Sequence, residues 1–466
     1  MRSLLQIVAS VCCLFTVSVQ AEVSAFRMDQ TRLWLSAENV SLHRLFEHFS
    51  AAGVRVEIDP LVQKTVSGSW QNAEMEAVFD TLLSPYDYLL DWQRETGPLG
   101  GFIRLTGIHI FSERGPAETK PLTPVRRIET SMNGRFRFVA REILVGFAPG
   151  SSMDDLRTFL ERTGGTVIAV NLPLGVYRIL LPEGTNVTDL AAQLVNDRRI
   201  VLAEPNYVYN LPETGGSAAG ASIVGNWTPP PADSPMAVAV LDSGLLADGN
   251  LNRAVINSYD ATNPDSPLIS DAVGHGTLMA QLAAGLIDPG GKPVGEGVPV
   301  VAVKAFADDG TADSFTLMNA VTYAVANSSG PISLSWGSGT PSRFIESAMN
   351  YAADAGRLIF AAVGNENTGQ PIYPAAYPGV IGVAASDGDR LAEYSNRGDF
   401  VQLIAPGTAG DSTGTSVATA YAAHVAALYM QHHPEATAVE TAAALKKAVG
   451  PSGFLTEEAV RELTVR

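Results

Sequence analysis

Ala237-Val238-Ala239-Val240-Leu241-Asp242-Ser243-Gly244 decides how the second half of this chain folds. Five apolar residues without alternation read as a strand buried on both faces, and the carboxylate and glycine that follow mark its end. The same signature recurs at Val300 to Phe306, Ile332 to Ser335, Leu358 to Val363 and Val380 to Ala385. Helix-length segments lie between these runs, at Gly274 to Leu286, Phe315 to Asn327, Ile345 to Ala355 and Ser416 to Met430. This alternation predicts a doubly wound, mostly parallel α/β sheet over residues 226–466. Its functional groups are expected at the carboxyl ends of the strands.

Toward the amino terminus, residues 211–225 are rich in small residues and read as an exposed, cleavable linker. Residues 136–210 carry strand and helix signals in the order β-α-β-β-α-β, which predicts a ferredoxin-like module. Residues 113–135, with Pro116, Pro121 and Pro124, read as an inter-domain linker. Residues 22–112 form a second small α+β unit. Leu42, Leu45, Phe46 and Phe49 recur at helical spacing, as do Met75, Val78, Phe79, Leu82 and Leu83.

At the very start, Arg2, an apolar run from Leu4 to Val19, and Val19-Gln20-Ala21 have the form of a secretory signal peptide, residues 1–21. The run is short for a bilayer span. Val11 before Cys12 lacks the small residue a lipoprotein signal wants. Cys12 and Cys13 are the two cysteines of the chain, so the mature protein is expected to hold neither disulfide nor thiol nucleophile. An exported product, periplasmic or extracellular, with no membrane span in its mature part follows.

The 466 residues carry 31 Lys+Arg against 48 Asp+Glu, a net charge of −17, so nucleic acid is excluded as a partner. Residues 226–466 hold 11 Lys+Arg and 24 Asp+Glu, which places most of the acidity on the α/β domain. Cationic polypeptides are expected to approach this surface faster than acidic ones, an advantage that shrinks with added salt.

Four short motifs sit at the expected strand and helix junctions. Asp242-Ser243-Gly244 follows a strand, Gly274-His275-Gly276-Thr277 and Gly414-Thr415-Ser416 open helices, and Gly364-Asn365 follows the strand ending at Val363. Singly, each reads as turn or cap chemistry. Together, in the order Asp, His, Asn, Ser with separations of 33, 90 and 51 residues, they resemble the subtilisin-like serine peptidases. The chemistry agrees with the resemblance, because a serine hydroxyl is nearly inert at neutral pH without a base in reach, and imidazole is the base with a suitable pKa.

The resemblance implies that Ser416 is the nucleophile, His275 the general base, Asp242 its orienting carboxylate and Asn365 an oxyanion donor. That chain order and that asparagine donor are already known for subtilisin itself. It further implies that Ser335, Trp336 and Gly337 pair with the substrate backbone and that Ile372 walls the pocket for the residue before the cut. Ile372 stands where many relatives have glycine, which predicts a shallow pocket.

Residues 136–210 resemble the propeptide of this family, an intramolecular inhibitor removed by self-cleavage between about Tyr209 and Asn226. Residues 22–112 resemble the short N-terminal domain of secretins and TonB-dependent receptors, which implies an envelope protein as a docking partner. No cofactor is required for the chemistry. The resemblance raises structural calcium, for which Asp288, Glu296, Asp308, Asp309 and Asp313 are the carboxylates to test, though their spacing matches no metal loop.

The chain departs from the family at Leu278, Gln281, Ala420 and His424, where a histidine, a glycine, a proline and a glycine are usual. These positions shape helix packing. They leave one alternative from another class, a catalytically silent envelope binding or assembly protein on the same scaffold.

Overall fold

The computed structural model describes residues 22–112, 119–122, 127–212, 227–230, 236–246, 249–289 and 295–464. The expected signal peptide and residues 213–225 of the expected cleavable linker lie outside the described residues. Two compact units result, one built from residues up to Glu95 with 101–125 and 160–168, the other from 96–100, 126–159 and 169–466.

The first unit runs β1 (Glu22–Asp29), β2 (Arg32–Ser41), α1 (Leu42–Ala51), β3 (Arg55–Ile58), β4 (Thr65–Glu74), α2 (Met75–Leu83), β5 (Asp87–Gly97), β6 (Gly100–Phe111) and β7 (Lys120–Pro121). Its strands form two sheets, β1-β2-β4 and β5-β6-β3-β7. The helical periodicity predicted the core. Phe46 and Phe49 of α1 meet Phe79 of α2 at ring separations of 5.8 and 5.3 Å, and Ser41 caps α1 by accepting from Arg44 N.

Next along the chain come β8 (Ile128–Thr130), β9 (Arg137–Phe147), α3 (Met153–Thr163), β10 (Thr166–Asn171), β11 (Val176–Leu180), α4 (Val187–Leu194) and β12 (Ile200–Asn210). The sheet order β10-β11-β9-β12 is ferredoxin-like, and β8 adds to β9. The expected linker 113–135 therefore needs correction. Among its described residues β7 pairs with β3 and β8 with β9. Edge strands of two or three residues use only backbone groups on one side, which proline and charge do not forbid.

The α/β part comprises β13 (Val238–Asp242), β14 (Val255–Asp260), α5 (His275–Ala283), β15 (Val300–Lys304), β16 (Thr311–Asp313), α6 (Ser314–Asn327), β17 (Ile332–Leu334), α7 (Arg343–Asp354), β18 (Ile359–Ala362), β19 (Val380–Asp387), β20 (Arg390–Leu391), β21 (Val401–Pro406), β22 (Thr408–Ala409), β23 (Ser412–Thr413), α8 (Thr415–His432), α9 (Ala438–Val449) and α10 (Glu457–Thr464). The large sheet has the order β14-β15-β13-β17-β18-β19-β20, with β21 also on β19. All its pairs are parallel except β19 with β20.

One core packs α5, α8, α9 and α10 against one face of this sheet, and a second packs α6 and α7 against the other. Strand order reverses at β13, which lies between β15 and β17, so the end of β13 is a switch point where a crevice opens. No helix among the described residues is long and apolar enough to cross a membrane.

Candidate active site

Parallel register brings the predicted residues to one end of the sheet. Leu241 of β13 pairs with Leu334 of β17, and Leu334 with Ala361 of β18. Asp242, Ser335 and the Val363-Gly364-Asn365 turn thus leave three adjacent strands at the same edge. Ser416 stands in the first turn of α8, where unpaired helix N–H groups favour negative charge.

Asp242 Oδ1 lies 2.6 Å from His275 Nδ1, and both side chains are buried. Burial pushes the imidazole pKa down. The charge and hydrogen bond of Asp242, with the charge of Asp271, outweigh it and hold His275 above its ordinary value. Asp242 Oδ1 also accepts from Ser243 N at 2.8 Å. The glycines beside the pair are required sterically. A Cβ on Gly276 would lie 2.5 Å from Gly244 O, so the two motifs meet backbone to backbone.

Ser416 is buried, and its Oγ donates to Ser335 O at 3.4 Å. Among the described residues no hydrogen bond joins it to His275, whose Nε2 has no hydrogen-bond partner there. Asn365 Oδ1 accepts from Thr415 N at 2.9 Å and from Thr415 Oγ1 at 3.0 Å. With the oxygen held by the residue before Ser416, the amide nitrogen is the end left to donate. Gly337 adjoins Ile372, whose Cγ2 occupies the space a side chain on Gly337 would need. Trp336 is buried and meets Tyr209 edge-on at 5.8 Å.

Three residues that sequence reasoning missed organise the site. They are Asp271, which accepts from Thr277 and Ser243, Ser243 itself, and Thr415. Only their positions within four residues of His275, Asp242 and Ser416 could have drawn attention to them.

Four of the five carboxylates raised for calcium are engaged by other side chains or backbone groups. Asp308 pairs with Lys304, Asp309 accepts from Thr311, Asp313 caps α6 through Thr316 N, and Glu296 is held by Gln431 and His432. Among the described residues no three His, Cys, Asp or Glu side chains converge as ligands.

The second unit also shows how the ferredoxin-like part meets the catalytic part. β12 pairs antiparallel with β16, matching Tyr209 with Ala312. Glu204 accepts from Ser342 Oγ at 2.7 Å and Arg343 N at 3.0 Å, at the start of α7. Asn206 Oδ1 accepts from Phe315 N at the start of α6. Burial pushes the Glu204 pKa up although these hydrogen bonds oppose it.

A buried carboxylate–imidazole pair and a serine at a helix start, gathered at the switch point of a parallel sheet, define a hydrolytic enzyme of the α/β class. Comparison with known proteins makes this specific. Residues 233–461 match the Subtilase family and residues 127–206 the Fervidolysin N-terminal prodomain. A thermophilic serine proteinase of Bacillus sp. (strain AK1) is 30% identical over 315 residues, covering 62% of this chain and 78% of that protein. Subtilisin Savinase of Lederbergia lenta is 34% identical over 209 residues, 42% of this chain and 77% of that one. The minor extracellular protease Epr of Bacillus subtilis (strain 168) is 34% identical over 229 residues, but the chain spans only 34% of its length.

Among solved structures, fervidolysin from Fervidobacterium pennivorans superposes with a TM-score of 0.56 at 21% identity, over 69% of this chain and 61% of that one, which establishes shared fold. The chain belongs to the subtilase family. It is a subtilisin-like serine peptidase with a prodomain ahead of its catalytic domain.

Proposed function

We propose that this protein is an exported serine endopeptidase made as a self-processing precursor. Ser416 attacks the peptide carbonyl while His275 Nε2 takes its proton and later returns it to the leaving amine. Asp242 fixes the His275 tautomer and stabilises the imidazolium, and Asn365 donates to the oxyanion. The carrying observation is the buried 2.6 Å contact between Asp242 and His275, which leaves Nε2 as the nitrogen free for the hydroxyl. The open Ser416 link fits a resting enzyme, because catalytic hydrogen bonds often tighten only once substrate is bound.

Covalent labelling by a fluorophosphonate tests the reading. Processed protein should label at Ser416, and failure to label would favour a silent scaffold. Replacing Asn365 by Ala should lower kcat about 10²–10³-fold with little change in KM, the cost of one oxyanion donor. An unchanged kcat in steady-state peptide hydrolysis would remove Asn365 from the oxyanion site.

Ser335, Trp336 and Gly337 are assigned to the substrate backbone and Ile372 to the pocket before the cut. The contact of Ile372 with Gly337 supports a shallow pocket that takes small side chains. In a series of peptide anilides, Ala before the cut should exceed Phe by about 10-fold or more, and Ile372→Gly should raise the Phe substrate by about 10–100-fold. Preference of the unaltered enzyme for Phe or Tyr would overturn this assignment.

Residues 136–210 act as the intramolecular inhibitor, a role supported by the β12–β16 pairing and by Glu204 at the start of α7. The N-terminal unit serves to dock the zymogen to an envelope protein. Its two short sheets with two helices support an independent module.

A further inference from the structure

The loop that carries His275 is tied down by a second buried carboxylate. Asp271 is 3% exposed and accepts four hydrogen bonds: from Ser243 Oγ (2.8 Å) and Gly274 N (2.7 Å) on Oδ1, and from Thr277 N (2.8 Å) and Thr277 Oγ1 (2.6 Å) on Oδ2. Ser243 Oγ in turn accepts from Gly276 N at 2.8 Å. The chain is therefore held immediately before and immediately after His275, and Ser243 joins that clamp to the residue next to Asp242. Thr277 Oγ1 extends the tie by accepting from Leu246 N at 2.9 Å.

Helix capping explains why the clamp lies outside the helix. The N-cap of α5 is Gly274, with φ of 82° and no side chain to cap the first turn. Asp271 and Ser243 supply the missing acceptors to Thr277 N and Gly276 N. Burial pushes the Asp271 carboxyl up, but the hydrogen bonds from Thr277, Ser243 and Gly274 outweigh it and hold it below its ordinary value, so the group is ionised. The charged groups that face His275 are Asp242 and Asp271.

We propose that Asp271, acting through Ser243, is a positioning residue that holds the His275 imidazole against Asp242 and adds a second negative charge behind the general base. The proposal rests on the reading of His275 as that base. A cap alone would stabilise α5. A positioning residue also sets the geometry and the protonation of the imidazole, where a misplacement of about 1 Å costs on the order of 100-fold.

The test is the rate of fluorophosphonate labelling of Ser416 against pH, in processed protein from full-chain wild type, Asp271→Asn and Ser243→Ala. A variant that fails to process itself is treated with tagged wild-type enzyme, which is then removed. Asparagine is nearly isosteric but presents an NH₂ to Thr277 N–H and carries no charge. Asp271→Asn is expected to lower the plateau rate about 10–100-fold and to move the acid limb to lower pH. Ser243→Ala keeps the charge and breaks the tie, so its plateau should fall while its acid limb stays in place, a readout that survives even if Asp271→Asn does not fold.

Labelling of both variants within twofold of wild type, or an unmoved acid limb in Asp271→Asn, would overturn the proposal while wild-type labelling left the catalytic reading standing. Absence of labelling in wild type itself would overturn both.

Discussion

Ser416→Ala, expressed as the full chain, should accumulate with residues 127–212 still joined to the catalytic domain and should hydrolyse peptides about 10⁶-fold more slowly than the processed wild type. That magnitude is the one known for loss of the nucleophile in subtilisin itself. In the proposed mechanism Asp242 holds His275 by Nδ1, which leaves Nε2, unpartnered among the described residues, as the basic nitrogen, and Thr415 holds the oxygen of Asn365 so that its nitrogen is the end left to donate. Without the Ser416 hydroxyl these groups retain only their power to orient water and stabilise an oxyanion, worth about 10³–10⁴-fold over the uncatalysed reaction. The same substitution should stop maturation, because β12 pairs with β16 from Val208 to Asn210 and the proposed self-cleavage needs the Ser416 hydroxyl as its nucleophile. Intact mass measurement of purified protein checks both parts. Trimming after Asn210 in the variant, with no other protease present, would show that processing does not depend on Ser416 and would separate maturation from the proposed triad.

How much of this was legible beforehand depended on how local the signal was. β13, β15, β17, β18 and β19 are buried on both faces, so their residues form unbroken apolar runs and were found within one or two residues. β14 was missed because it lies at the sheet edge with Ile256, Asn257 and Ser258 exposed, which erases the apolar run. β4 was missed for the same reason, its sequence mixing Gly, Ser, Gln and Asn on an exposed face.

Asp242, His275, Asn365 and Ser416 stood out because each lies within two residues of a glycine at a junction that the strand pattern located. Asp271 had no such mark. Its meaning lies in a bond to Ser243, 28 residues away, which only the folded loop reveals. Leu278 and Ala420, departures from the family pattern, are both buried in the core shared by α5 and α8, as a packing role requires.

His424, the remaining departure in α8, should make the catalytic domain lose about 3 kcal/mol of stability between pH 6.5 and 4 beyond what its carboxylates contribute. The imidazole is fully buried, its Nδ1 lies 2.9 Å from Ala283 O at the end of α5, and its Nε2 has no hydrogen-bond partner among the described residues. It thereby straps the helix that begins with His275 to the helix that carries Ser416. Space for the ring comes from Gly285, where a Cβ would lie 2.5 Å from His424 Cε1. Desolvation pushes the pKa down to about 4, opposed by the Ala283 carbonyl and by Glu296, whose carboxylate is already held by Gln431 and His432. As pH falls, the unfolded chain takes up the proton near 6.5 while the native state refuses it until about 4. The penalty is therefore absent above pH 6.5, grows by about 1.4 kcal/mol per pH unit below it, and levels off near pH 4. Denaturant unfolding of the phosphonylated mature enzyme, which cannot digest itself, measures this against His424→Gln. Glutamine packs less well, so the variant should be the less stable at neutral pH, and its deficit should shrink by about 3 kcal/mol as the pH reaches 4. A deficit that stays constant across that range would mean that His424 is not held neutral in the folded protein, and the acid sensitivity would have to come from the carboxylates alone.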